Sequence, residues 1–529
     1  MSQDVTYLGF DISTQQLKAV VINDALRITH QSSVSFDLDL PEFRTHGGVY
    51  SHDDKLTVTA PPIMWIKAFD MILEKLKLDG LDFSSVAAIS GAAQQHGSVY
   101  WKKGAEQILH TVLPNKFLHE QLQGCFSMRD SPVWMDSSTT SYCKTFERGV
   151  GGPIMLSQIT GSRAYERFTA SQIAKLHQTK PVVYNNTERI SLVSSFAATL
   201  FLCHYAPIDL SDGSGMNLLD IHLKDWSDVC LEVCAPNLRE KLGVPVPSST
   251  VLGTIAPYFV DRYGFAETCK IIAFTGDNPA SLAGTQLNKG DMAISLGTSD
   301  TVFLWLTEYR PSLDGHILCN PLTSKDFMAL LCFKNGSFTR ERIRDDCADG
   351  SWQLFSDLLD STPRGNFGNI GMYFDMMEIV PPMIGDYRFN RNNELVQRFS
   401  KEVEVRALIE GQFLAKRVHA ENVGFTIGSK SKIIATGGAS ANQAIVQVLS
   451  DVFNVPVYVL DFPNSACLGA ALRAKHGLLG EEFGFHKMFE EPLKLHLSAK
   501  PAKDAAEIYG PMLLRYRILE DRIIRENDF

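Results

Sequence analysis

The sequence lacks the features by which several large classes of protein are recognised. Its ten cysteines include no Cys-x-x-Cys pair, and in a chain of this size they are expected to be reduced, mostly buried thiols. The longest apolar runs fall far short of the ~20 residues that a membrane-spanning helix requires, and the first residues lack the basic and apolar stretches of a secretory signal. We therefore expect a cytoplasmic protein with no membrane partner.

Basic residues are not in excess either. Lysine and arginine number 50 against 60 acidic residues, giving a formal net charge of -10 without long charged blocks. Nucleic-acid-binding proteins usually carry a basic domain or stripe, so no nucleic-acid partner is expected. The charge balance does not exclude binding of small anionic ligands, because a few local hydrogen-bond donors suffice to bind them.

Several nucleotide and catalytic motifs are also missing. There is no Gly-x-x-x-x-Gly-Lys-Ser/Thr loop and no Gly-x-Gly-x-x-Gly after a strand. There is likewise no His-Glu-x-x-His and no Gly-x-Ser-x-Gly nucleophile elbow. If this chain binds phosphates, we expect hairpin turns and helix N-termini to hold them.

What is present is an ordinary globular composition on a long chain. The 529 residues are 45% hydrophobic and 21% charged, which argues against disorder. At roughly 150 residues per domain, the length predicts about three to four domains or two large lobes.

One order of elements occurs twice along the chain. Residues 5–22 and 291–306 each predict strand, turn, strand, and residues 86–97 and 433–440 each predict an apolar strand that runs into a loop of small residues. Amphipathic helices follow several of these strands, which favours sheets with parallel pairs. The pattern predicts two related α/β lobes with a cleft between them, over residues 1–288 and 289–529.

The two hairpin turns are candidate phosphate sites. In the first, Asp11 ends a strand and is followed by Ser13 and Thr14, whose hydroxyl and N–H groups can meet phosphate oxygens, while the carboxylate can meet Mg²⁺ through water. In the second, Gly297 and Thr298 allow close approach of the backbone. Taken singly, each is equally a plain hairpin turn with a capping residue. Two such turns at matching places favour a phosphate clamp from both sides.

A candidate catalytic carboxylate follows a buried strand at residues 271–274. Asn278 can be an N-cap and Pro279 the first helical residue, which leaves Asp277 at the carboxyl end of the strand, where open α/β sheets bind their ligands. An ionised carboxylate there can accept a proton from a substrate hydroxyl. The alternative is a simple capping Asp-Asn pair.

Three further segments suit sugar or nucleotide binding. His96 belongs to a polar run, residues 94–97, that can hydrogen-bond a polyol, and Arg167 on a turn can hold sugar or phosphate oxygens. Gly437 and Gly438 lie between a strand and a helix, where a nucleotide can lie flat against the backbone. The alternatives are a structural histidine, a surface ion pair and an ordinary strand-to-helix turn.

Taken together, these segments resemble the FGGY carbohydrate kinases, which belong to the actin/hexokinase-like ATPase superfamily. The matching stretches cover nearly the whole chain and comprise residues 9–16, 90–97, 132–139, 160–169, 211–217, 274–284, 295–301, 435–442 and 466–470. The resemblance implies an α/β fold of two related actin/hexokinase-like (ribonuclease H-like) lobes with a cleft between them.

The resemblance also implies roles for individual residues. Asp277 would take the proton from a primary hydroxyl of the sugar, and Asp11 would position Mg²⁺ and the γ-phosphate. The residues implied to contact the sugar are His96, Arg167, Asp277 and Asn278. Those implied to hold the adenosine part of ATP are Trp352, Gly438, Ala439 and Asn442, with Ser13, Thr14, Gly297, Thr298 and Gly437 in the turns beside them. For Trp352 the implication rests on the resemblance alone.

The expected activity is ATP-dependent phosphorylation of D-xylulose to D-xylulose 5-phosphate by a monomer or homodimer. The alternatives are a kinase of the same family acting on ribulose, gluconate or glycerol, and an ATP-dependent sugar sensor without transfer activity. Two departures from the family pattern weaken the detail: Gln172 stands where lysine is common, and Ser13 where glycine is common. Ser13 in place of glycine makes the first hairpin turn less flexible, because serine disfavours positive φ.

Overall fold

A computed structural model describes residues 5–459, 464–489 and 495–527. Its contacts divide the chain into two compact units. The first comprises Met1–Gln286, Ile317–Asp326 and Asn464–Pro492, and the second comprises Leu287–His316, Phe327–Pro463 and Leu493–Phe529. All ten cysteines are free and nine of them are buried, which confirms the expected thiols.

The strands and helices of the described residues alternate along much of the chain. The strands are β1 (Thr6–Ile12), β2 (Gln16–Asn23), β3 (Ile28–Ser35), β4 (Tyr50–Ser51), β5 (Val58–Ala60), β6 (Val86–Ala93), β7 (Ser98–Lys102), β8 (Ser131–Pro132), β9 (Thr187–Leu192), β10 (Leu219–Asp220), β11 (Asp225–Trp226), β12 (Val251–Thr254), β13 (Lys270–Ile272), β14 (Thr275–Gly276), β15 (Met292–Leu296), β16 (Asp300–Leu306), β17 (His316–Cys319), β18 (Phe327–Phe333), β19 (Ile370–Phe374), β20 (Gly385–Phe389), β21 (Ile433–Thr436), β22 (Val457–Val459) and β23 (His496–Ala499). The helices are α1 (Phe36–Asp39), α2 (Pro62–Leu78), α3 (Ala105–Leu109), α4 (Leu118–Gln121), α5 (Thr140–Val150), α6 (Pro153–Thr160), α7 (Thr169–Thr179), α8 (Pro181–Asn185), α9 (Val193–Leu202), α10 (Leu210–Gly213), α11 (Asp228–Cys234), α12 (Leu238–Leu242), α13 (Pro257–Tyr263), α14 (Asp277–Gly284), α15 (Ser337–Ala348), α16 (Trp352–Asp360), α17 (Lys401–Asn422), α18 (Gln443–Phe453), α19 (Ser465–Leu479) and α20 (Ala505–Asn527).

The first unit is built on a mixed sheet whose strands run in the order β12-β13-β6-β1-β2-β3. Strand β1 pairs antiparallel with β2 and parallel with β6, and β14 extends the parallel pairing of β6. Every residue of β1 is buried, as expected of a strand covered on both faces. The carboxyl ends of the parallel strands β1, β6 and β14 therefore meet at one edge of the sheet.

The second unit repeats this topology. Its sheet has the order β23-β22-β21-β15-β16-β18, with β15 antiparallel to β16 and parallel to β21. Strand for strand, β15, β16 and β21 take the places of β1, β2 and β6. This confirms the duplication predicted from the two strand-turn-strand segments.

Helix α2 is amphipathic, as expected of a helix that packs on one of these sheets. Helix α2 buries Trp65, Phe69, Ile72, Leu73 and Leu76, at the spacing of one helical face. In the first unit Trp65 and Phe69 pack edge-on against aromatic rings of α9. The core of this unit thus lies between its sheet and these helices.

Helix α19 belongs to the first unit, although it follows the last parallel strand of the second sheet in sequence. A Cβ atom on Gly469 would lie 1.9 Å from the carbonyl oxygen of Ala280 in α14, and a Cβ on Gly9 would lie 2.3 Å from the Ala471 nitrogen. Glycines at these positions let α19 pack tightly on α14 and β1. The long N-terminal segment of the first unit ends at Gln286, close to the predicted boundary at 288. Two later segments, Ile317–Asp326 and Asn464–Pro492, also belong to this unit, which the predicted boundary did not include.

Candidate functional site

Asp277 lies at the carboxyl edge of the first sheet. Strand β14 pairs in parallel with the end of β6, and α14 begins at Asp277 itself, with Gly276 as the N-cap. The prediction that Asn278 caps this helix and that Pro279 begins it is wrong by two residues. The reason is that the Asp277 carboxylate accepts a 2.8 Å hydrogen bond from the Asn278 N–H group, and so satisfies a free donor at the helix start.

The surroundings of Asp277 set its protonation. Burial, together with the negative charge of Asp11, raises the pKa of Asp277 from 3.8 to about 7, against the opposing effect of backbone hydrogen bonds from Asn278 and Gln95. The side chain nevertheless remains partly accessible to solvent. A carboxyl group with a pKa near the working pH is suited to accept and release a proton.

A hydrogen-bond chain holds Asn278 beside this carboxylate. The Asn278 amide donates to Gln95 Oε1 at 2.8 Å, and the Gln95 amide donates to Asp212 Oδ1 at 3.3 Å. A Cβ atom on Gly276 would lie 2.5 Å from Gln95 Cγ and 2.8 Å from the Asp212 carboxylate. Gly276 therefore makes room for these protein side chains.

Asp212 is a residue that the sequence analysis missed as part of the site. Its second carboxylate oxygen accepts a 2.6 Å hydrogen bond from Ser194, and burial with the nearby charge of Asp209 raises its pKa well above the ordinary value. The only signal in the sequence was its place in a polar segment, residues 211–217, that follows no apolar period.

Asp11 ends β1 in the same unit. Its Oδ2 atom accepts a 2.8 Å hydrogen bond from Ser13, while its Oδ1 atom is buried and has no hydrogen-bond partner among the described residues. Burial raises the pKa of Asp11, although Ser13 and Lys18 partly oppose this. The Thr14 hydroxyl accepts a 2.9 Å hydrogen bond from the Trp134 indole. Ser13 does not adopt a positive φ, so serine causes no strain in this turn.

Gln94 adds two more unsatisfied atoms. Its backbone N–H donates to the Ile12 carbonyl at 2.8 Å, at the end of β1. Both polar atoms of its side-chain amide are buried without a hydrogen-bond partner in the part of the chain that the structure describes. Buried polar groups are nearly always paired, so unpaired ones at a sheet edge point to a bound ligand.

His96 and Arg167 form an aromatic-backed group. The His96 Nδ1 atom donates to the Gly215 carbonyl at 2.9 Å, and the ring stacks on Phe168 at 4.4 Å. Burial, with the charge of Arg167, lowers the pKa of His96 to about 3, so the imidazole is neutral and its Nε2 atom is an acceptor. The Arg167 guanidinium lies 5.1 Å from the ring centre of Tyr165.

The second unit contains a cavity of about 630 Å³. It is lined by Leu296, Gly297, Thr298, Ser337, Arg340, Glu341, Trp352, Gly438, Ala439, Ala441, Asn442 and Ile445. Six of the residues predicted to hold the nucleotide, including Trp352, are in this lining. A volume in this range suits a drug-sized ligand.

Ion pairs fix the turn that borders this cavity. Asp300 is fully buried and contacts Arg340 at 2.8 Å and Lys416 at 2.9 Å. Burial alone would raise its pKa, but the charges of Lys416 and Arg340 hold the pKa of Asp300 below its ordinary value. Arg340 also donates to the Gly297 carbonyl at 3.2 Å. The sequence analysis assigned no role to Arg340 or Lys416.

Gly437 directly precedes the lining residues Gly438 and Ala439 but does not itself line the cavity. Its φ is +84°, and a Cβ atom there would lie 2.5 Å from the Leu296 carbonyl oxygen. After Gly437 the chain forms a short 3₁₀ segment, Gly438–Ala441, and Asn442 caps α18 by accepting from the Ile445 N–H at 3.2 Å. The 3₁₀ turn thus delays the start of α18 to Gln443.

Trp352 opens α16 and is 37% exposed. The Arg344 guanidinium lies 4.8 Å from its ring centre, and Phe355 packs edge-on against it. Both contacts leave a ring face turned partly to solvent in a cavity wall, which is a suitable surface for a planar ligand group.

The predicted site residues thus fall into two sets. The sugar-site residues, with Asp11, Ser13 and Thr14, are in the first unit, and the adenosine-site residues, with Gly297, Thr298 and Gly437, are in the second. The clamp from both sides stays a prediction.

Comparison with known proteins identifies the family. Residues 127–284 match the N-terminal domain of the FGGY family of carbohydrate kinases, and residues 292–478 match its C-terminal domain. The chain belongs to this family. It is 58% identical to the xylulose kinase of Rattus norvegicus over 98% of its length and 97% of that protein, and 46% identical to xylulose kinase 2 of Arabidopsis thaliana over 99% and 98%.

Crystal structures of family members agree with the fold. The xylulose kinase from Rhodospirillum rubrum superposes with a TM-score of 0.81 at 15% identity, over 98% of this chain and 99% of that one. Membership confirms the expected two-domain, actin/hexokinase-like α/β fold. Among the residues that the structure describes, no helix combines the length and apolar character needed to cross a bilayer.

Proposed function

We propose that this chain catalyses the ATP-dependent phosphorylation of D-xylulose, giving D-xylulose 5-phosphate and ADP. The family supports a carbohydrate kinase, and the relatives at 58% and 46% identity over nearly the whole chain are named xylulose kinases. One observation carries the catalytic part of the proposal: Asp277 is partly accessible at a sheet edge and has a pKa of about 7.

Asp277 acts as the general base on the primary hydroxyl of the sugar. The hydroxyl oxygen forms a bond to the γ-phosphorus of ATP while the bond from that phosphorus to the β–γ bridging oxygen breaks, and Asp277 accepts the hydroxyl proton. Its raised pKa makes it a better proton acceptor than an ordinary carboxylate. The Asn278–Gln95–Asp212 chain keeps Asn278 next to the carboxylate, so that its amide can hydrogen-bond the same sugar.

His96 and Arg167 bind the remaining sugar oxygens. The neutral imidazole of His96 accepts a hydrogen bond from a sugar hydroxyl, since its Nδ1–H is already committed to Gly215. Arg167 offers only donors and meets hydroxyl or carbonyl oxygens. One acceptor and one multiple donor in fixed positions can discriminate between epimers, because a wrong hydroxyl leaves one of them unpaired.

ATP binds through its adenosine to the cavity lined by Trp352, Gly438, Ala439 and Asn442. The backbone turn at Gly297 and Thr298 receives phosphate oxygens, and Gly437 keeps the opposite wall flat. Phosphoryl transfer needs mainly positioning and charge stabilisation, and rigid turns supply the first of these.

Asp11 fits a role in holding Mg²⁺. Its buried, unpartnered Oδ1 is the kind of oxygen atom that Mg²⁺ prefers. The described residues contain no cluster of three or more acidic, histidine or cysteine side chains that could hold a metal, so the ion would take its other ligands from water and the phosphates. When bound, Mg²⁺ neutralises charge on the transferred phosphoryl group.

The substrate assignment is tested by ADP production with D-xylulose, D-ribulose and glycerol side by side. We expect D-xylulose to give the highest kcat/KM and ADP release without sugar to be far slower. A higher value with glycerol or D-ribulose would identify a different kinase of this family. ADP release that no sugar stimulates would favour a sensor and overturn the proposal.

A further inference from the structure

The first unit contains a second cavity, of about 320 Å³, apart from the residues assigned to the sugar. It lies where β5, β7 and β8 meet one face of α7, and its wall includes Thr59, Tyr100, Gln172 and Lys175. None of the residues proposed above to bind sugar, ATP or Mg²⁺ is in its lining. Cavities of this volume accommodate small metabolites.

Basic side chains outnumber carboxylates in this wall, although burial raises the pKa of Asp130 and the charge of Arg129 opposes that rise. Arg129, Lys175 and Lys180 line the cavity, and none of the three forms an ion pair with a carboxylate among the residues that the structure describes. Among the described residues Lys175 donates to the Ser138 hydroxyl, at 2.6 Å. Three cations around one concave surface attract an anion, and the attraction is weaker at the exposed Arg129 and Lys180 because solvent screens them.

Two carboxylates share the wall but differ in the number of hydrogen bonds that they accept. Asp136 already accepts hydrogen bonds from Val58 N–H, from the N–H and hydroxyl of Ser138 and from the Gln172 amide. Asp130, by contrast, has a buried Oδ1 atom with no hydrogen-bond partner in the described part of the chain. Asp130 as a whole is half-buried, and a carboxylate in the wall can accept a hydrogen bond from a hydroxyl but not from an anionic group.

We propose that this cavity binds a phosphorylated polyol or sugar, with the phosphate on Arg129, Lys175 and Lys180 and a hydroxyl group on Asp130. Inorganic phosphate would satisfy only the basic side, and an unphosphorylated polyol only the acidic one. The ligand class is therefore set by the basic side chains and the Asp130 carboxylate together. Arginine and lysine are the side chains that bind phosphate best.

The cavity is linked to the sugar site through α7. Gln172, in the wall, donates to the Glu166 carbonyl at 3.1 Å, and Glu166 directly precedes Arg167 in the chain. At the start of the same helix, Thr169 donates to the His96 carbonyl at 3.1 Å. A ligand that moves Gln172 would move the backbone that carries Arg167, so we expect occupancy to change the KM for D-xylulose.

Calorimetric titration of the full chain without ATP tests the binding. The probes are D-xylulose 5-phosphate, glycerol 3-phosphate, inorganic phosphate and xylitol. We expect D-xylulose 5-phosphate to bind in this cavity, whether or not a second site also binds it, and to bind there at least tenfold more weakly in Arg129→Gln and in Lys180→Gln. Both residues are exposed, so the variants should fold, and Lys144→Gln on the exposed face of α5 is the matched control.

Each outcome decides the matter. Unchanged binding in both variants would overturn the site, and inorganic phosphate binding as tightly as glycerol 3-phosphate would overturn the ligand class. If glycerol 3-phosphate binds in this cavity and D-xylulose 5-phosphate does not, the site stands and its ligand is a polyol phosphate other than the reaction product. The expected KM change, two- to fivefold in the wild type and absent in Arg129→Gln, rests on the proposed function, whereas the titration does not.

Discussion

The two units have the same sheet topology, and each has one buried aspartate beside its hairpin turn, but the two aspartates differ in their surroundings. Asp11 in the first unit has one carboxylate oxygen without a hydrogen-bond partner among the described residues, and burial raises its pKa. Asp300 in the second unit contacts two buried cations that lower its pKa. A duplicated fold has thus kept one carboxylate available to a ligand and used the other to fix the turn.

Removing Asp300, which has two ion-pair partners, tests this comparison most directly. Asp300→Ala leaves Arg340 and Lys416 buried without a counter-charge, and we expect it to lower the free energy of unfolding by about 3–5 kcal/mol. Urea denaturation followed by circular dichroism measures this. The matched control is Asp504→Ala, which removes one partner of the exposed pair with Arg364 and should cost far less, because solvent screens exposed ion pairs. Equal losses would show that Asp300 is not a structural anchor.

The opposite result is expected for the unsatisfied aspartate. Asp11→Asn removes a buried charge that lacks a full set of partners, so the free energy of unfolding should stay the same or rise, while turnover should fall at least about 100-fold if Asp11 holds Mg²⁺. Asp24→Asn, on the exposed end of the same hairpin, is the control and should keep its turnover. A clear loss of stability with normal turnover would make Asp11 a structural residue.

A glycine distinguishes the loops that follow β6 and β21. Gln94 follows β6 and carries a full side chain, whereas its counterpart Gly437 has a φ of +84°, and a Cβ atom there would lie 2.5 Å from the Leu296 carbonyl oxygen. Gly437→Ala should cost about 1–3 kcal/mol of stability from strain and displacement of the backbone, and should raise the KM for ATP. In Gly438→Ala the new Cβ meets nothing within 4 Å, so stability should be unchanged. Equal stability of the two variants would contradict this.

Local patterns in the sequence predicted the duplicated fold well. The hairpins at residues 6–23 and 292–306 carry their turn signals within a few residues, and the amphipathic spacing of α2 lies in one segment. The same holds for Asp277, because a strand followed at once by a helix start is a local feature. Local chemistry of this kind can be read without tertiary information.

What was missed depends on contacts distant in sequence. The return of α19 to the first unit rests on close packing of Gly469 against Ala280, which no periodicity reveals. The partners of Asp300 come from α15 and α17, and the Gln95–Asp212 bond joins the loop after β6 to α10. The pKa of Asp277 likewise depends on burial and on the charge of Asp11, which is distant in sequence, so the protonation of Asp277 could not be predicted from its neighbours in the chain.

The account depends most on Asp277 as the base. Its raised pKa favours the protonated folded state, so the stability that protonation contributes is present below the unfolded pKa of 3.8 and is lost as pH rises to about 7. Asp277→Asn should therefore be more stable than the wild type above pH 7, by up to about 4 kcal/mol. This stability measurement also confirms that the variant is folded.

The most direct measurement is the pH dependence of kcat/KM for D-xylulose in the wild type and in Asp277→Asn. For the wild type we expect a tenfold fall per pH unit below about 7, where Asp277 becomes protonated. For the variant we expect rates about 10²–10⁴-fold lower without that dependence. A variant with near-normal turnover, or with the same fall below pH 7, would contradict the account.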